Sequence, residues 1–221
     1  FIFIISYVII AIVVVLIWYV IPKFSLLVFL LISIFHFGLG DTKWTNISNY
    51  FLSGYFNGGL VIFGISFLNF DEVDLIYKML INDNNSDVIW HFLKLGGIIW
   101  LITGPIHLYY NYKDFNRFYI IRIIFLIFII YFTPPLVSFT FYFCFIHSVN
   151  HVKRILPSLK NNLKQKNIRN LFLTFTFLSW FIGIFLFFYL IGHNALDNAL
   201  IKLTFIGLAA LTFPHMILID I

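Results

Sequence analysis

Charge is scarce in this chain, and glutamate is almost missing from it. Charged residues make up 10% of the 221 positions, whereas soluble proteins carry roughly 25%. Glu72 is the only glutamate, which argues against a dinuclear metal centre bridged by several glutamates. Hydrophobic residues make up 62% of the chain, and the mean hydropathy is +0.99. This composition excludes a soluble globular enzyme and predicts a membrane protein.

Several other sequence features are also missing. Cys144 is the only cysteine, so an intramolecular disulfide is excluded. Neither a glycine-rich phosphate loop nor a serine nucleophile elbow is present, which argues against nucleotide-binding and serine-hydrolase chemistry. No repeat or linker divides the chain, so we expect one integral-membrane domain over 1–221. Phe1 lies inside an apolar run and is not a methionine, so we expect that an N-terminal helix is missing.

Long apolar windows predict an all-α, polytopic transmembrane helical bundle. A helix of ~20 residues crosses the ~30 Å hydrocarbon core of a bilayer. Pro134 and Pro135 mark one boundary between spans, because proline cannot continue a helix. About eight spans are expected: 1–21, 24–39, 48–69, 88–110, 117–133, 135–152, 170–192 and 197–219.

The distribution of charge predicts the orientation in a cell inner membrane. The segment 153–169 carries six basic residues and no acidic one, which places it in the cytoplasm by the positive-inside rule. The same concentration explains the net charge of +5 without a nucleic-acid partner. The acidic segment 70–87 is expected on the other side, and His91 and His193 come out there. Five histidines fall at the cytoplasmic ends of spans: His36, His107, His147, His151 and His215.

This layer of histidines predicts a metal centre between helices. Ionisable side chains are costly at membrane depth, and a neutral imidazole suits iron, copper or zinc. His147 and His151 have i, i+4 spacing, so both rings lie on one helical face ~6 Å apart. A histidine pair solvated by lipid headgroups explains this spacing equally well. Asp41 could orient an imidazole through its ring N–H.

Four motifs contain these histidines: His36-Phe-Gly-Leu-Gly-Asp41, Gly104-Pro-Ile-His107, Cys144-Phe-Ile-His147-Ser-Val-Asn-His151 and Phe213-Pro-His215. Together they resemble the Brp/Blh family of bacterioopsin-related-protein-like beta-carotene 15,15′-dioxygenases. They follow the order and the approximate spacing of that family from about residue 30 to the C-terminus. The resemblance implies a multi-pass membrane enzyme that cleaves beta-carotene with O2 into two molecules of retinal, using non-haem Fe(2+). Through retinal it implies a functional link to a microbial rhodopsin.

The resemblance also implies a ligand set. His36, His147 and His151 match three of the four histidines proposed to bind iron in the family. The fourth belongs to a Pro-His-Gly element that is expected upstream of residue 1. Asn150 departs from the family pattern, in which Arg is frequent. Other side chains are expected around the ligands or beside the polyene: His107, His215, Asp41, Phe35, Phe37, Phe143 and Phe145. Helix packing explains the four phenylalanines equally well.

Two other functions stay open from the sequence. The first is another histidine-rich membrane oxidoreductase of the desaturase or hydroxylase type. Those enzymes use denser histidine clusters that include adjacent pairs, and this chain contains no His-His. The second is a non-enzymatic retinal carrier or opsin assembly partner that uses the same pocket. Conversion of beta-carotene to retinal would separate the dioxygenase from both.

Overall fold

The computed structural model describes residues 2–41, 50–111, 117–162, 165–192 and 196–220. All regular secondary structure in these ranges is helical, so the predicted all-α membrane fold is confirmed. The helices are α1 (Ile2–Val20), α2 (Pro22–Asp41), α3 (Tyr50–Leu68), α4 (Phe70–Ile81), α5 (Asp87–Asn111), α6 (Arg117–Phe132), α7 (Pro135–Phe141), α8 (Ser148–Asn162), α9 (Gln165–Ile191) and α10 (Leu196–His215). Two π-helical turns accompany them: Tyr142–His147 between α7 and α8, and Met216–Asp220 after α10.

Seven of the eight expected spans correspond to apolar helices. Five helices in the described ranges are long and apolar enough to cross a membrane, and the apolar segments of α1 and α6 are shorter. The five are Pro22–Asp41, Phe51–Leu68, Asp87–Asn111, Asn167–Ile191 and Leu196–Leu218.

The expected sixth span, 135–152, differs from its prediction. It consists of the seven-residue α7, a π-helical turn and the start of α8. Helix α8 continues to Asn162, into the basic segment that was expected to be a loop, because lysine and arginine are good helix formers. The acidic segment 70–87 likewise contains a helix, α4, which at 12 residues is too short to cross a bilayer.

The chain divides into two compact units. One comprises residues 23–150 and is called the 23–150 unit here. The other joins residues 1–22 to residues 151–221 and is called the terminal unit. The expectation of one domain over 1–221 stays a prediction.

In the 23–150 unit, α3 packs against α4, α5, α6 and α7. Its contact with α2 depends on glycine. A Cβ added to Gly38 would lie 1.7 Å from the carbonyl oxygen of Gly54, and one added to Gly58 would lie 1.7 Å from that of Ile34. The two backbones therefore touch, as at the small-residue contacts of membrane helices. This close approach places the C-terminal turn of α2 firmly against α3.

Asp74 joins α4 to the start of α5. Its carboxylate accepts hydrogen bonds from Ser86 Oγ and, at 2.7 Å, from Trp90 Nε1, and Lys78 Nζ lies 2.6 Å away. Burial alone would raise the pKa of Asp74, but these hydrogen bonds and the lysine charge hold that pKa below its ordinary value. Helix α4 is thereby held by charged contacts in addition to its apolar face.

In the terminal unit, α10 packs against both α1 and α9. Tyr7 donates a hydrogen bond from its hydroxyl to the carbonyl oxygen of Leu211, 2.7 Å away. Many large apolar side chains of α1 and α9 are exposed, including Leu16, Trp180 and Phe181. Such exposure is the arrangement that lipid favours, because lipid tails are as apolar as these side chains.

Candidate metal centre

His36 and His147 meet in the 23–150 unit. His36 comes from the last turns of α2, and His147 ends the first π-helical turn. Their ring centres are 5.1 Å apart. Phe37 packs edge-on against His147 with ring centres 4.9 Å apart, and Phe143 stacks on it at 5.8 Å. Only 6% of the His147 side chain is exposed, so this ring lies in a largely apolar, water-poor environment.

Asp41 faces His147 from the end of α2. Its Oδ1 lies 3.9 Å from His147 Nδ1, and its side chain is 4% exposed. Tyr142 donates to Oδ2 at 2.7 Å, and Asn150 donates to Oδ1 at 3.1 Å. A carboxylate held in this way can orient an imidazole and make its other nitrogen a better metal ligand. The structure therefore places Asp41 beside a predicted ligand, as the sequence suggested.

The π-helical turn explains why Tyr142 and His147 both reach Asp41. The two residues are five positions apart, which in an α-helix would separate them by about 140° around the axis. Ser148 N–H instead bonds to Phe143 O, five residues back. Each turn of such a segment holds more residues, so Tyr142 and His147 come to the same side, and both are buried. π-helical turns occur frequently at functional sites.

His107 lies apart from this pair in a polar network of α3, α5 and α6. Asn111 Nδ2 donates both to His107 Nδ1, at 3.1 Å, and to the His107 carbonyl oxygen, at 3.0 Å. Nδ1 thus accepts, and Ser53 Oγ also lies 3.1 Å from it. Nε2 carries the proton and faces Tyr119 Oη at 3.5 Å. Since both ring nitrogens are engaged, His107 has the geometry of a structural histidine and not of a metal ligand.

This network reaches the neighbourhood of Asp41. The hydroxyl of Tyr119 donates to Asn57 Oδ1 at 2.9 Å. Asn57 then lines a small cleft together with Asp41, Arg122 and Tyr142. The cleft has a volume of about 10 Å³, which is room for about one water molecule. It connects polar groups and is far too small for a polyene.

A second histidine pair lies in the terminal unit. His151 of α8 and His215 at the end of α10 have their Nε2 atoms 3.1 Å apart. Their ring centres are 4.9 Å apart and the rings are inclined by 61°. Buried Pro214 precedes His215, and the second π-helical turn follows it. The sequence motifs predicted His215 around the ligands or beside the substrate, but they did not indicate its pairing with His151.

The two pairs fit the donor chemistry of a non-haem iron site. Imidazole nitrogens suit iron, and rings that share an ion bound at about 2.1 Å have centres roughly 4.5–5.5 Å apart. The separations of 5.1 Å and 4.9 Å fall in that range. Among the described residues, no three or more histidine, cysteine, aspartate or glutamate side chains form a metal-holding group. His36 and His147 belong to the 23–150 unit and His151 to the terminal unit, so the ligand set of all three stays a prediction.

The remaining singled-out residues lie in different surroundings. Phe37 is fully buried and packs against Tyr142 and Phe139, whereas Phe145 is 66% exposed and stacks on Phe141. Phe35 contacts Tyr55 with ring centres 6.0 Å apart. Exposed His91 bonds through Nδ1 to the Asp87 carbonyl oxygen. His193 lies outside the described residues.

The long apolar helices define the class as an integral membrane protein, and the close pairs of imidazoles give it a candidate histidine site. The family model for beta-carotene 15,15′-dioxygenase matches residues 1–221. A protein from uncultured marine bacterium 66A03, named beta-carotene 15,15′-dioxygenase, is 36% identical over 212 residues, which cover 93% of this chain and 74% of that protein. No solved structure matches. The chain belongs to the beta-carotene 15,15′-dioxygenase family of carotenoid-cleaving enzymes, and the predicted resemblance is confirmed.

Proposed function

We propose that this protein cleaves beta-carotene at its central 15,15′ double bond with O2 and produces two molecules of retinal. The observation that carries the proposal is the family match over residues 1–221, together with a relative of that name at 36% identity. In this reaction the central carbon–carbon double bond breaks, and each of its carbons becomes an aldehyde carbon. Both oxygen atoms of O2 enter the products, so no reductant is required.

The cofactor in this proposal is Fe(2+), held by histidines that include His36, His147 and His151. Iron, when bound, supplies the activation of O2 toward the polyene. The paired imidazoles support this choice because their separations suit two ligands of one ion.

The residues around His147 orient and shield it. Asp41 holds the imidazole orientation through its charge, and Tyr142 and Asn150 keep the carboxylate in place. Phe143 stacks on the ring, and Phe37 packs against it edge-on; both exclude water, which strengthens electrostatic interactions at the site. Excluding water also limits side reactions during the cleavage.

Beta-carotene dissolves in lipid, so we propose that it enters from the bilayer between helices. The apolar outer faces of α1 and α9 are suited to lipid. The basic segment at the end of α8 and the start of α9 is proposed to face the cytoplasm, with the metal site near that side of the cell inner membrane. In this orientation retinal is released into the membrane, where a microbial rhodopsin can take it up.

Expression in a beta-carotene-producing bacterium tests the function. The wild-type protein should remove the yellow colour and produce retinal that is detected by chromatography. His147→Ala should abolish retinal formation while the protein stays in the membrane, and His91→Ala, at an exposed position, should leave it unchanged. Unchanged carotene with well-expressed wild-type protein would refute the proposal.

The same experiment separates the alternatives. A desaturase or hydroxylase would yield a modified product that keeps all 40 carbons of the substrate. A retinal carrier or opsin assembly partner would leave beta-carotene intact and would bind added retinal. Only central cleavage gives two equivalent products of half the length.

A further inference from the structure

The histidine pair of the terminal unit has a geometry that its expected role does not explain. His151 and His215 are 64 residues apart in sequence, yet their Nε2 atoms lie 3.1 Å from each other. We propose that His215 is a metal ligand and binds, through Nε2, the same ion as His151. This inference rests on the proposed iron-dependent function and adds a ligand to the set that the family resemblance implies.

The nitrogen separation is the first support. Two nitrogens bound to one ion at about 2.1 Å lie about 3.0 Å apart at a right angle and about 3.4 Å apart at a tetrahedral angle. The observed 3.1 Å corresponds to a bond angle near 95°, which suits a metal with five or six ligands. The two Nε2 atoms are closer together than the ring centres, which are 4.9 Å apart, so both nitrogens lie on the facing sides of the rings, and the rings, inclined by 61°, do not stack.

The local backbone is the second support. Helix α10 ends at His215, and a π-helical turn begins at the next residue. Buried Pro214 removes a backbone N–H one position earlier. The proline on one side of His215 and the π-helical turn on the other both interrupt the regular α-helix, and such π-helical distortions are frequent at functional sites. They give the His215 ring an orientation that a regular helix would not provide.

A direct N–H···N hydrogen bond is the competing explanation of the short contact. In that case one ring donates and the other accepts, and the pair needs no metal. The substitution His215→Gln distinguishes the two explanations, because the glutamine amide can donate to His151 Nε2 but is a poor ligand for iron. The substitution His215→Cys tests metal coordination directly, because a coordinated thiolate gives a charge-transfer band with cobalt.

The test measures metal binding by the detergent-purified full chain. Anaerobic titration with Fe(2+) against a competing chelator gives the affinity of wild type, His151→Ala, His215→Ala and His215→Gln. Co(2+) added to His215→Cys reports thiolate coordination in the near ultraviolet, and His91→Cys is the matched control. Both cysteine variants retain Cys144, so its contribution is the same in each.

We expect His215→Ala and His215→Gln to lower the Fe(2+) affinity at least about 100-fold, similar to His151→Ala, because loss of a group that only orients a ligand costs about 10- to 100-fold. His215→Cys, but not His91→Cys, should show the thiolate-to-cobalt band. Wild-type affinity in His215→Gln, or absence of the band in His215→Cys, would overturn the inference. If wild type binds Fe(2+) and produces retinal while His215→Gln keeps its iron, only the role of His215 fails. If wild type binds no iron and forms no retinal, the proposed function fails as well.

Discussion

Replacing Asp41 with asparagine tests whether its charge orients His147. The asparagine side chain would keep nearly the same shape and one oxygen for Asn150, but it would lose the negative charge that lies 3.9 Å from His147 Nδ1. Tyr142 can accept a hydrogen bond from the new amide in place of donating to Oδ2. The substitution therefore removes charge with little change in packing.

The expected loss follows from the geometry. Two unit charges about 4 Å apart interact by about 4 kcal/mol at an effective dielectric constant of 20, and a metal-bound imidazole carries only part of a charge. We expect the Fe(2+) affinity to fall 10- to 100-fold, which is about 1.4–2.7 kcal/mol. Retinal formation at limiting iron should fall by a similar factor, and excess iron should restore part of it.

The assay combines chelator competition for Fe(2+), retinal measured by chromatography and the thermal midpoint in detergent. Tyr142→Phe is the matched control, because it removes one hydrogen bond to Asp41 and leaves the charge in place. Its effect on iron affinity should stay below about 10-fold. Wild-type iron affinity in Asp41→Asn would refute the orienting role, and an equal loss in Tyr142→Phe would show that charge is not the cause.

Three further predictions concern the scaffold of the site. Gly38→Ala should reduce the yield of folded protein and destabilise it by about 1–3 kcal/mol, because its Cβ would overlap the backbone of α3; Gly183→Ala, with open space around it, is the control, and thermal unfolding measures both. Asp74→Asn should lower the free energy of unfolding by about 2 kcal/mol at pH 7, which corresponds to about 4–8 °C in Tm. Because the pKa of Asp74 is lowered by folding from its ordinary 3.8, this difference should persist above about pH 4 and shrink as pH falls through the folded pKa; a constant difference down to pH 2 would contradict it. His107→Ala should lower Tm, since it leaves buried Asn111 and Ser53 without their common partner, yet keep the wild-type iron content measured by mass spectrometry.

The membrane helices could be predicted because length and hydropathy determine them directly. The apolar windows of 88–110 and 197–219 correspond to α5 and α10 within a few residues. Helix α4 was missed as a helix, because hydropathy detects only segments apolar enough for lipid, and α4 carries Asp71 and Glu72 in its first turn. Acidic residues in the first turn stabilise a helix through its dipole, so Asp71 and Glu72 indicated the start of a helix as well as the side of the membrane.

The candidate site could be predicted only in part. His36 and His147 were chosen from motifs, and they do lie together with Asp41. The pairing of His151 with His215 could not be predicted, because a contact across 64 residues leaves no trace in local spacing. The position of Tyr142 beside Asp41 was also missed, because α-helical periodicity places it on a different side from His147. The fully engaged ring of His107 depends on Ser53 and Tyr119, which no motif contains.

The π-helical turn at Tyr142–His147 sets the angle at which the chain leaves α7. A turn of this kind holds about one residue more than a turn of α-helix, so each of its residues advances the chain less around the axis. If the same residues straightened into a regular α-helix, everything from His147 onward would rotate by about 100° about the helix axis relative to α7. His147 would then move away from the Asp41 carboxylate although no residue had been altered. Loss of one residue inside the turn is the opposite case, because four α-helical steps from Tyr142 bring His147 to within about 40° of it. The direction of the His147 ring therefore depends on the hydrogen-bonding pattern of the turn as much as on the identity of its residues.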